Sequence, residues 1–203
     1  MARLFSTPIA CGLVTGALAG GLTVYWQWVS TTSYGESIGT AVFLDLGCNL
    51  LLCSGALLSR RKAALIGWTF FWTAAATSAD MVLVIFPGLG AMISYDAMFS
   101  FFFSSAAAGA LIGLGLHKMY ESRTPLLRAV LLGMLGELML MGMIYAQERT
   151  MANDMHRAML WLMPILLAHV ATATLPVIAI DRERRASPEL SFTSPPATSK
   201  SLP

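Results

Sequence analysis

An all-α bundle crossing a membrane six times, with both termini on the cytoplasmic side, is the fold class this sequence predicts. Three observations predict it. Of 203 residues, 56% are hydrophobic and only 12% charged, about half the charged share of an ordinary soluble domain. The charges gather in short islands between apolar runs, each run near the length of about 20 residues that spans hydrocarbon. The basic residues fall mostly in alternate islands. Inside a bilayer a backbone must satisfy its own hydrogen bonds, so such runs fold as helices.

The first run, Pro8–Val29, carries Gly12, Gly16 and Gly20 at every fourth position, a smooth stripe for close helix contact. Its start imitates a signal peptide, with Ala17-Leu18-Ala19 as the cleavage site, but the apolar run continues to span length, so a retained helix is expected. The second, Ile38–Ser59, sets Asp45 and Asn49 four apart on one face. The third, Ala63–Phe86, aligns Thr73, Thr77 and Asp80. The fourth, Ala91–Leu116, has Asp96 near one end and a second small-residue stripe at Ser105, Gly109 and Gly113. The fifth, Pro125–Ala146, opens on Thr124-Pro125, a capping hydroxyl before a helix-starting proline. Gly133 and Gly136 leave room beside its Glu137. The sixth, Arg157–Ile180, holds His169 and is interrupted by Pro164 and Pro176. Each proline removes a donor and frees the carbonyl four residues back, at Leu160 and Thr172, so kinks are expected. Residues 1–180 thus form one transmembrane domain. Residues 181–203, rich in Ser and Pro, are expected to be a disordered cytoplasmic tail.

Orientation follows from the basic residues. One side collects Arg3, Arg60, Arg61, Lys62, Lys118, Arg123, Arg128, Arg182, Arg184, Arg185 and Lys200, and the other only Arg149 and Arg157. Eleven against two, by the positive-inside rule, places both termini in the cytoplasm. A bacterial inner membrane is the expected location, with the lipid bilayer as first partner. The net charge of +2 gives no reason to expect nucleic acid. Cys11, Cys48 and Cys53 form no CxxC pair, which argues against a disulfide framework.

Four acids, Asp45, Asp80, Asp96 and Glu137, lie within apolar runs, with no basic residue among them. Each costs about 2.5–3.5 kcal/mol to insert, so such residues usually face a protein interior or a wet cavity. At 1.5 Å per residue, Asp45 lies about 10 Å from the outer edge, Asp80 about 9 Å, Asp96 about 8 Å and Glu137 about 14 Å. His169 lies about 18 Å in, near the midplane. All four acids therefore fall in the outer half, though their helices alternate in direction. The expectation is an outward-facing site of Asp45, Asn49, Asp80 and Glu137, with Asp96 at its mouth and His169 at its floor. Crowded carboxyls without a base repel, so the site should hold protons or a bound cation. The competing expectation is that each acid bonds separately to a neighbouring helix.

Methionine offers a second candidate. Met151, Met155, Met159 and Met163 recur every fourth residue with His156 among them, and Met139 and Met143 stand on the preceding helix. Thioether sulfur suits Cu(I), but a methionine stripe at helical spacing is more often flexible packing. No HExxH or Gly-x-Ser-x-Gly occurs, and no lysine within a span could form a retinal Schiff base. His117, His156 and His169 differ too much in depth to pair across one haem. No organic cofactor is therefore expected. A small carrier or channel for a cation or proton-coupled solute is the first expectation. A non-catalytic structural or assembly subunit, packed as a homo-oligomer or beside other membrane subunits, is the second. A membrane enzyme using Asp and His is the third.

Overall fold

The computed structural model describes residues 7–32, 38–90, 96–122, 125–151 and 160–186. These form six helices: α1 (Thr7–Thr32), α2 (Ile38–Arg60), α3 (Ala64–Gly90), α4 (Asp96–Met119), α5 (Leu126–Met151) and α6 (Leu162–Ala186). Four stretches, Thr7–Trp26, Val42–Arg60, Leu126–Gln147 and Leu162–Glu183, are long and apolar enough to cross a membrane. The chain is thus a helical membrane protein by length and composition. Its burial pattern fits an apolar solvent. Phe43, Phe70, Phe71 and Leu127 are exposed, while Thr15, Thr69, Thr73 and Thr172 are buried. Several interior hydroxyls are satisfied within their own helix, as Thr69 Oγ1 donates to the Leu65 carbonyl at 2.8 Å and Thr172 Oγ1 to the Ala168 carbonyl at 3.0 Å. Such back-bonding lets a threonine enter a core at little cost.

Each helix packs against its neighbour in sequence, and α1 also packs against α6, so the six close into a ring. α2, α4 and α6 touch one another across the middle. Small residues set the two closest seams. A Cβ at Gly16 would stand 2.7 Å from Val170 Cα and 2.9 Å from the His169 carbonyl oxygen, and one at Gly20 would stand 2.9 Å from Leu166 Cα. Gly12 meets Ala173 in the same way. Across the ring, Gly109 and Gly113 of α4 lie against the backbone of Gly133 and Ala129 in α5.

Two turns lie side by side at one end. α2 stops at Arg61, whose φ is 49° and whose N–H bonds the Leu57 carbonyl at 2.8 Å. α4 stops at Glu121, φ 50°, with Glu121 N–H on the Lys118 carbonyl and Ser122 N–H on the His117 carbonyl, the paired bonds of a Schellman cap. Arg60 joins the turns through the Glu121 carboxylate at 2.9 Å and the Met119 carbonyl at 2.8 Å. The buried Tyr120 hydroxyl accepts from Ser59 at 3.0 Å and donates to the Gly55 carbonyl at 3.3 Å.

The structure revises several expected boundaries. α1, α3 and α5 run beyond their apolar runs, because a helix ladder does not stop where the side chains turn polar. Pro164 lies in the first turn of α6, where its missing N–H would have no partner anyway, so it starts the helix and does not kink it. Leu160 lies before α6, so no helical carbonyl is freed there. Pro176 does lie inside the helix. α6 continues to Ala186, so residues 181–186 are helical where a tail was expected. Asp181 and Arg185 pair at 2.9 Å one turn apart and support that last stretch. Residues 187–203, Thr124 and residues 91–95 lie outside the described residues.

The seam of α1 and α6 predicts a contrast between glycines. Gly16→Leu drives a side chain into the α6 backbone, so it should lower the thermal midpoint in detergent sharply or prevent recovery of folded protein. A Cβ at Gly21 meets nothing within 4 Å, so Gly21→Ala should leave the midpoint unchanged or raise it slightly. Equal behaviour of the two variants would refute the seam.

The turn contact predicts a pH dependence. The hydrogen bond from Arg60, then its charge and that of Lys62, hold the Glu121 carboxyl below its ordinary value of 4.5. A depressed acid contributes stability above its unfolded value and loses it as pH falls through the folded one. The difference in thermal midpoint between wild type and Glu121→Gln should therefore be small and constant from pH 7 to about 4.5, then close at lower pH. A difference that widens on acidification would contradict it.

Candidate functional site: a buried carboxyl cluster

Asp45, Cys48 and Asn49 occupy one face of α2, spaced by three and four residues, and Thr77 and Asp80 occupy one face of α3. Where α2 meets α3 these faces join. Asn49 is 3% exposed, and its Nδ2 donates to both Asp45 carboxyl oxygens at 3.2 Å and to Thr77 Oγ1 at 3.1 Å. The Asp45 and Asp80 carboxyls act on each other across the α2–α3 contact. Two carboxylates offer no donor to each other, so a close pair is at ease only with a proton between them.

Glu137 enters from α5 and is 8% exposed. Its position follows from the glycines around it. A Cβ at Gly109 would stand 2.8 Å from Glu137 Cγ, and one at Gly136 would stand 2.6 Å from Thr172 Cα. α5 is thus pressed against α4 and α6 together, and the Glu137 stem lies over the space that Gly109 leaves. Its charge acts on both Asp45 and Asp80. Among the described residues no basic group offsets the three acids.

His169 is held apart from the acids. It is 3% exposed on α6, with Nδ1 at 3.2 Å from the Ile165 carbonyl and Nε2 at 3.0 Å from Thr23 Oγ1 of α1. Thr23 Oγ1 lies 3.3 Å from the Cys48 thiol, on which Asp45 and Glu137 act electrostatically. The histidine therefore reaches Cys48 through Thr23, and Cys48 stands one turn from Asp45 on the same face of α2. Reading by charge and depth overlooks both of these residues. The signal was present: Thr23 continues the face of Gly16 and Gly20, and Cys48 shares the face of Asp45.

The other expected residues divide. Asp96 opens α4, where a carboxylate suits the positive end of the helix dipole, but its side chain lies outside the described residues. Met155, Met159 and His156 also lie outside them, as does the side chain of Met151. Met163 and Met139 are exposed on the bundle surface, and Met143 packs against the core of Leu140, Ile165 and Ala168. Cys11, Cys48 and Cys53 are free. Among the described residues no three of His, Cys, Asp and Glu are grouped to hold a metal ion. What this arrangement offers chemically is buried carboxyl oxygens that could hold a proton. The chain matches no protein-family model, no curated protein and no solved structure.

Proposed function

We propose that this protein is a small carrier or channel for a proton-coupled solute or a cation, with Asp45, Asp80 and Glu137 as its ion site. The observation that supports it most is the meeting of the Asp45 and Asp80 faces where α2 packs on α3, with Asn49 bonded to Asp45 and Thr77 and the charge of Glu137 acting on both acids. Acids that act on one another in an apolar bundle, without a base, are costly as structure alone. As a site that binds and releases a proton, the same arrangement has a use. Asn49 and Thr77 orient the Asp45 carboxyl. Six spans with both termini in the cytoplasm of a bacterial inner membrane, as the basic residues indicate, would open the site toward the outer side.

A second reading, a structural or assembly subunit, is favoured by Gly21, Gly67 and Gly142, where an added Cβ would meet nothing within 4 Å. Small residues on an outer face suit another helix, from a second copy or a different membrane subunit.

Two experiments test the proposal. Single cysteines at Ser33 and Arg61, probed with a membrane-impermeant maleimide, should label from opposite sides. Labelling from one side would overturn the orientation. Asp80→Asn keeps the shape of the site and removes the ionisable group. In proteoliposomes it should lower proton-coupled flux at least about tenfold or shift its pH profile, with the thermal midpoint little changed. Flux and pH profile equal to wild type would sink the carrier reading in favour of the subunit.

A further inference from the structure

The carboxyl cluster is not the end of the buried polar network. Cys48 is 7% exposed and Thr23 6%, and they lead from α2 through α1 to His169 on α6. A carbonyl oxygen only accepts, so the contact of Nδ1 with Ile165 fixes the neutral imidazole with its proton on Nδ1. Nε2 then accepts from the Thr23 hydroxyl, and the Cys48 thiol has two acceptors in reach, Thr23 Oγ1 at 3.3 Å and the Ala19 carbonyl at 3.7 Å.

The same atoms satisfy a second arrangement. The Ala19 carbonyl lies 3.3 Å from Thr23 Oγ1. If Nε2 carries a proton, it donates to Thr23 Oγ1, and the Thr23 hydroxyl turns to Ala19. The thiol still donates to Thr23, whose oxygen has two lone pairs. A histidine buried only for packing needs partners for one protonation state, and His169 has partners for both. The ionisable groups near it on the packed helices are Cys48 and, beyond it, Asp45 on α2, and Glu137 on α5. α1 and α4 offer none at this level among the described residues.

We propose that His169 is a second proton-holding site, joined to the carboxyl cluster through Cys48 and Thr23, which supplies the positive charge the cluster lacks. The proposal rests on the carboxyl reading above. The transfer balances as one relayed proton. The Cys48 S–H bond breaks as its proton passes to Thr23 Oγ1, the Thr23 O–H bond breaks toward His169 Nε2, and the O–H bond of a protonated Asp45, one turn before Cys48 on the same face of α2, breaks to restore the thiol. One carboxyl becomes a carboxylate, one imidazole becomes an imidazolium, and nothing is oxidised or reduced.

The test is ¹⁵N NMR of the full chain, labelled at histidine and held in lipid nanodiscs. The chain has three histidines, and His169→Gln identifies the signals of His169. In wild type these should change from the Nδ1–H tautomer to imidazolium as pH falls, and Asp80→Asn should displace the midpoint by about one pH unit. Thr23→Val should abolish that displacement, and Thr23→Ser should restore it. The serine variant answers the question if valine does not fold. A His169 that stays neutral throughout, or whose midpoint ignores Asp80, overturns the proposal. Proton flux separates it from the carrier reading. Coupled titration in a protein that moves no protons would leave this inference standing and remove the carrier. Flux lost in Asp80→Asn but kept within about twofold in both His169→Gln and Thr23→Val would do the reverse.

Discussion

The ring closes because α1 and α6 can approach backbone to backbone, and the interior depends on that closure. Leu166, Val170 and Ala173 lie directly on Gly20, Gly16 and Gly12. Lipid gives no hydrophobic drive for helices to associate, so van der Waals contact at such seams carries the association. Only with α6 this near can Nε2 of His169 reach a hydroxyl on α1 at 3.0 Å. Were the two helices pushed apart by even a side chain's width, that bond would break and the polar interior would lie open to acyl chains. The small residues are therefore a condition for the polar ones.

The polar interior is graded. Some threonines deep in the bundle spend their hydroxyls on their own helix, as Thr172 does on the Ala168 carbonyl. Asn49, Thr23 and Cys48 bond across helices. Asp45 lies at one of these cross-helix contacts, through Asn49 to Thr77. Isolated structural acids need only local donors, whereas Asp45, Asp80 and Glu137 act on one another's charge.

Much of this architecture was legible in the sequence. The apolar runs gave six helices, and the fourfold spacing of glycines pointed to close seams. The identity of the facing helix was not legible, since Gly16 carries no mark of Val170. The carboxyls could be ranked by depth, but depth does not fix azimuth, and α2 and α3 must be rotated together before Asp45 meets Asp80. Boundaries failed where polarity and helix geometry part company. α6 runs on through Arg182 because the backbone ladder and the Asp181–Arg185 pair outlast the apolar run. Pro164 read as a break only because the start of its helix was set too early.

The two adjoining turns have a further consequence. A non-glycine residue in left-handed geometry costs about 1–2 kcal/mol, and both Arg61 and Glu121 adopt it. An exposed ion pair such as Arg60–Glu121 is screened by solvent, so it cannot by itself offset that cost. The capping bonds and the buried Tyr120 must make up the balance. What the arginine provides instead is alignment along the bundle axis, because its bond to the Met119 carbonyl fixes the level of the α4–α5 hairpin against the α2–α3 hairpin. A slip of one helical turn between hairpins is about 5.4 Å, enough to carry Glu137 away from the level of Asp45 and Asp80. A contact at the far end of the molecule thus acts as a vernier for the carboxyl cluster.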